Sequence, residues 1–69
     1  MNWAYRVVYY QNGDTPQYQG WNVDGRIEPR LSSFGESQLL STLGNDGWEL
    51  VAVANHEGER TFYFKKPNQ

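Results

Sequence analysis

The chain has 69 residues, no cysteine, and six basic against eight acidic side chains, for a formal charge of −2. That excludes a disulfide framework and a thiolate zinc site, and it offers no attractive field for phosphate backbones. A single domain of this size buries only about 60% of the surface its unfolded chain exposes, so a partner subunit is the natural source of added stability.

The opening MNWAYRVVYY lacks the basic flank and unbroken apolar run of a secretory signal. No stretch approaches the roughly 20 apolar residues of a membrane span, so the expectation is a cytoplasmic protein with no membrane partner. Residues 3–10 predict a strand, with Trp3, Tyr5, Val7 and Tyr9 in one row and Ala4, Arg6, Val8 and Tyr10 in the other. Both rows are apolar enough to bury, so the face that meets the helix stays open. Asn12-Gly13 signals a turn, since both residues tolerate positive φ, and Pro16 argues against helix there. YQGWNV, Asp24-Gly25 and RIEP then predict an extra hairpin within 17–28, closed off by Pro29, which has no N–H to give a ladder.

The helix is expected over 34–46. Ser33 and Glu36 have capping-box spacing, and Leu39, Leu40 and Leu43 recur on one stripe. In LGNDGWELVAV, Gly47 has the place of a left-handed C′ residue, which makes Asp46 the C-cap and sets Leu43 against Trp48 in a Schellman motif. Strands at 48–55 and 60–66 follow, joined through HEGER with Gly58 available for positive φ. The fold class is therefore α+β: an antiparallel sheet of three to five strands with one α-helix packed on one face. Residues 1–69 form a single domain, with 11–33 as an inserted hairpin-like segment between strand one and the helix.

The pattern of Trp3, Tyr5, Val7 and Val8, then Leu39-Leu40, Leu43-Gly44 and GWELVAV up to Val53, then FKKP at 64–67, resembles the small bacterial and phage family called domain of unknown function 4177. The resemblance covers about residues 3–10 and 39–67. It implies a three-stranded antiparallel sheet carrying one helix, and no catalytic or binding residues to transfer. The 11–33 link is longer than that family's pattern.

Candidate chemistry is thin. His56, Glu57 and Glu59 are neighbours on one turn rather than ligands converging from several elements, so no metal and no cofactor is expected. The GWNVDG stretch has no Lys-Ser/Thr following it and is no phosphate loop. With a single histidine placed in that turn, no nucleophile has an evident base, and the chain reads as non-catalytic. Arg6, Tyr10, Tyr63, Lys65 and Lys66 are the residues that would make a single-strand nucleic-acid face, a reading the net charge disfavours.

Eleven aromatic residues, three Trp, five Tyr and three Phe, are core and interface material first. With both faces of strand one and of ELVAVAN apolar, one helix leaves a face to cover. Either the inserted segment folds over it or a second subunit does. The function expected is a small interaction or regulatory module that forms a homo-oligomer, or binds another protein, through Tyr10, Trp21, Val23 and Ile27. The alternative is a pocket for a small anionic or nucleotide-like molecule lined by Tyr18, Trp21, Arg26 and Arg30, where Arg supplies bidentate contacts and the rings supply stacking surfaces.

Overall fold

Strand β1 (Asn2–Gln11) lies at the centre of one antiparallel sheet, where its β-branched and aromatic residues find neighbours on both sides. The strands β2 (Gly20–Val23), β3 (Arg26–Ile27), β4 (Glu49–His56) and β5 (Glu59–Asn68) complete the order β3-β2-β1-β5-β4. The computed structural model describes residues 2–56 and 58–68. One helix, α1 (Glu36–Asn45), packs on one face, so the α+β class is as the sequence indicates.

The register decides which rows share a face. Val8 stands opposite Phe62 and Val23, Arg6 opposite Phe64, and Tyr10 opposite Trp21. This is the face that α1 covers: Val8, Trp21, Leu39, Leu43, Trp48, Phe62 and Phe64 form the buried core, with Val8 and Leu39 at 0% exposure. Arg6 is tolerated on that face because its guanidinium lies 4.5 Å from the Trp48 ring and its Nε donates to Asp24 at 3.0 Å.

The hairpin expected within 17–28 forms as β2 and β3. Asp24 (φ 53) and Gly25 (φ 96) are its two central residues, both left-handed as a two-residue hairpin loop requires. Asp24 is held there by its surroundings. Its carboxylate accepts from the Val7 N–H at 2.9 Å, and its own N–H donates to the Val7 carbonyl at 2.9 Å.

The Schellman reading also stands. Gly47 has φ 94, the Trp48 N–H donates to the Leu43 carbonyl at 2.9 Å, and the Gly47 N–H to the Gly44 carbonyl at 3.0 Å. These bonds satisfy the last carbonyls of α1 and drop Trp48 into the core beside Leu43. Lys66, at 4.6 Å from the Trp48 ring, brings a cation to this negative end of the helix.

Other expectations need correction. The capping box does not form: α1 starts at Glu36 with Gly35 as an N-cap that makes no side-chain bond. A short 3-10 turn at Pro29–Leu31, capped by Ser32, uses up the chain just before, and the Phe34 N–H donates to Leu31. Ser33 is thereby held out of cap position, and Glu36 pairs with Arg60 at 2.7 Å instead. Asn12-Gly13 does not adopt positive φ, and Pro16 opens a 3-10 turn at Pro16–Tyr18. Proline suits the first position of such a turn, whose N–H is unpaired in any case. A glycine is needed at 13 for space, since a Cβ there would sit 2.5 Å from Tyr18. In β4 the register shifts between Leu50 and Ala52, so Leu50 and Val53 fall on the helix side, opposite Phe64 and Phe62, while Ala52 and Ala54 fall on the other. A plain alternation over ELVAVAN places Leu50 with Ala52 and Ala54 and is wrong there.

Candidate interaction surface

The second face of the sheet is built by the other row of each strand. Trp3, Tyr5, Val7 and Tyr9 of β1 stand opposite Pro67, Lys65, Tyr63 and Thr61 of β5, and Ala52 and Ala54 of β4 extend the same face. Tyr5 is 70% exposed, and Trp3, Val7 and Tyr63 are exposed beside it. The inserted segment 11–33 does not fold over this face: β2 and β3 join the sheet edgewise, so the segment widens the face rather than covering it.

Charge is nearly balanced on this surface. Lys65 lies with its ammonium 4.3 Å from the Trp3 ring centroid and stands opposite Glu49 of β4 as well as Tyr5. At the β2 side a small polar network replaces the rings: Asn22, buried, donates to Gln11 at 3.0 Å and accepts from the Gly25 N–H at 2.9 Å. Together these make an aromatic and aliphatic field with a polar margin, the composition that marks protein contact surfaces.

The interface residues chosen from sequence are placed elsewhere. Trp21 is core; its indole N–H donates to the Phe34 carbonyl at 2.9 Å, and its ring meets Tyr10 and Phe62 edge to face at 5.2 and 6.2 Å. Tyr10 and Val23 lie on the helix-covered face with it, so these three come together around the core and cannot anchor a contact on the bare face. Ile27, half-buried and opposite Asn22, is the one that belongs to the open side. The signal for the residues that were missed is the row Trp3, Tyr5, Val7 and Tyr9. It is visible in the sequence, but its rival row is also apolar enough to bury.

The proposed pocket residues do not converge. Tyr18 and Arg26 are exposed, Trp21 is buried, and Arg30 is held by Glu28, whose carboxylate accepts from the Arg30 Nε at 3.1 Å and from its N–H at 3.4 Å. The side-chain bond from Arg30 keeps the Glu28 carboxyl below the usual carboxylate range, and the same bond raises Arg30. The cleft described lies elsewhere, between Tyr10, Asn12, Glu36 and Arg60 over Trp21 and Phe62. At about 240 Å³ and open, it is smaller than the roughly 300–1,000 Å³ usual for ligand sites. The nucleic-acid set also divides, with Arg6, Tyr10 and Lys66 on the covered side and Tyr63 and Lys65 on the bare one.

Among the described residues no three His, Cys, Asp or Glu side chains are grouped to hold a metal ion, and no helix is long and apolar enough to cross a membrane. Glu57 and the His56 side chain, two of the turn residues weighed as ligands, lie outside the described residues. No family model matches the chain, and neither do the curated proteins or the solved structures.

Proposed function

We propose that this chain is a small non-catalytic interaction module that pairs with a second copy of itself through the bare face of its sheet. The observation that carries this reading is that the helix and the inserted segment both leave Trp3, Tyr5, Val7 and Tyr63 uncovered. Area supports it. Each strand residue covers roughly 16 Å² of a flat sheet, so this face offers about 500 Å² in projection and more when side-chain relief is counted. Two such faces together bury on the order of 1,000–1,600 Å², which reaches the size of a specific dimer contact.

The competing classes have less support. Three of the eight carboxylates are already engaged: Asp24 holds a turn, Glu28 meets Arg30 and Glu36 meets Arg60. For a nucleic acid strand, the bare face offers rings but only a charge-balanced Lys65.

The test is the concentration dependence of the melting temperature alongside light scattering, since a partner that binds only the folded state stabilises it by mass action. A dimer or larger species with a rising melting temperature is expected. A strict monomer at high micromolar concentration would sink the reading.

A further inference from the structure

The two edges of the sheet are not alike. On the β3 side the ladder lasts two residues, carries Arg26, and runs at once into Glu28 and Pro29. Short length, charge and proline are the devices by which sheets discourage pairing with another chain. On the other side β4 runs eight residues, and Leu50 to Asn55 contain no charge and no proline. The register shift between Leu50 and Ala52 disturbs one end of that edge and leaves 52–56 regular.

A second observation concerns the side chains. Leu50 and Val53 are on the helix side, yet they stay 40% and 47% exposed there. They form an apolar strip between the helix and the open edge.

We propose that β4 pairs antiparallel with β4 of a second copy across a two-fold axis near Ala54, which joins the two sheets into one. Unpaired N–H and C=O groups on the outer side of residues 52–56 then find partners. Such an axis sets Ala54 opposite its own counterpart on the bare side, and Val53 opposite the other copy's Asn55 on the helix side. The uncharged stretch of one copy thus meets the same uncharged stretch of the other. That self-matching is why the occupant is a second copy rather than a foreign peptide, because an isologous contact puts the same strip on both partners. The edge contact goes beyond the face-to-face reading and does not depend on it. Its axis is perpendicular to the sheet, whereas face packing uses an axis parallel to the sheet plane, and where the two axes cross the contacts together close into four copies. Five paired residues a side bury less than the face does, and the edge separates first on dilution.

Sedimentation of the whole chain over a concentration series tests this, comparing the parent with Val53→Lys, Tyr5→Lys and the double variant, each checked for folding by thermal melting. Expected masses are four copies for the parent, two for each single variant and one for the double. Hydrogen exchange of the outward-pointing amides among 52–56 should be slowed in the parent and fast in Val53→Lys. Asn55→Lys, exposed on the same side, replaces Val53→Lys if that variant does not fold. A folded edge variant with unchanged mass and unchanged exchange overturns the edge contact. If instead Val53→Lys halves the mass while Tyr5→Lys changes nothing, the edge stands and the face reading falls. A parent that is monomeric at high micromolar concentration overturns both.

Discussion

Along β1 the covered row reads Ala4, Arg6, Val8, Tyr10 and the bare row Trp3, Tyr5, Val7, Tyr9. By composition the bare row is the more apolar of the two, since the other contains a guanidinium. The helix nevertheless sits over the row with the charge. What differs is the neighbouring strands: the covered row has Phe62, Phe64, Trp21 and Val23 beside it along with Lys66, whereas the bare row has Thr61, Tyr63, Lys65, Pro67 and Asn22. The face a helix covers is thus chosen by the sum across strands in register, and one strand read alone points the wrong way. Arg6 follows because its guanidinium lies over the Trp48 ring while Nε donates to Asp24.

The largest effect expected from this contrast is on the covered side. Phe62→Ala removes a ring that is 2% exposed and central to the core, and such truncations cost about 3–5 kcal/mol. For a domain this small that is most of its stability, and urea unfolding should show little or no folded baseline. If the loss were under about 1 kcal/mol, the covered face would not be the core. Trp21→Ala belongs with it, as a core deletion rather than a probe of association.

On the bare side the same kind of truncation should read differently. Tyr5→Ala is expected to change monomer stability by no more than about 0.5 kcal/mol, as at other exposed positions. It should weaken self-association by about 2 kcal/mol, or roughly 30-fold in Kd, if Tyr5 is an anchor of the contact. Urea unfolding at low protein concentration gives the first number and sedimentation the second. Equal losses in both would erase the distinction between the faces.

Much of the scaffold was legible because its signals are local. Asp24-Gly25 needs two left-handed residues, and the LGNDGW run has the spacing of the helix exit. Neither depends on a distant contact. What could not be read depended on remote partners. Ser33 lost its cap role to a neighbouring 3-10 turn and to Trp21, whose indole bonds the Phe34 carbonyl. The bulge in β4 reversed the alternation of Leu50 relative to Ala52, and nothing in ELVAVAN marks it. The candidate surface fared worst. Trp21 stands out as a large ring in a turn-rich segment, but edgewise addition of β2 buried it, and the exposed rings proved to be those of the first strand.

A smaller effect concerns the device that brings the chain from the helix back to the sheet. Gly47→Ala places a Cβ at φ 94, where L side chains are disfavoured, and should cost on the order of 1 kcal/mol. The nearest atom a Cβ would meet is Lys66 Cδ at 3.8 Å, an ordinary contact, so the cost is conformational and not a clash. The loss should appear in thermal unfolding with no change in assembly at matched folded fraction. An alanine variant as stable as the parent would mean the Schellman geometry does not hold the helix on its face.

The smallest effect lies at the other end of the helix. With Gly35 supplying no cap, the Glu36–Arg60 pair, 2.7 Å apart, is the side-chain tie between the first turn of α1 and β5. Both side chains are about half exposed, so water and salt screen the pair, and exposed ion pairs are worth about 0.2–1 kcal/mol. Glu36 also sits in the first helical turn, where a carboxylate is favoured by the helix dipole whether or not Arg60 is present. The two contributions separate in a double-mutant cycle. Arg60→Ala removes the pair alone, Glu36→Gln removes pair and dipole term together, and the coupling between them isolates the pair. A coupling of about 0.5 kcal/mol in low salt that falls toward zero near 1 M is expected. A loss on Arg60→Ala that persists in the Glu36→Gln background and in high salt would indicate instead that the aliphatic part of Arg60 packs at the cleft over Phe62, and that the helix is held on the covered face by contact rather than by charge.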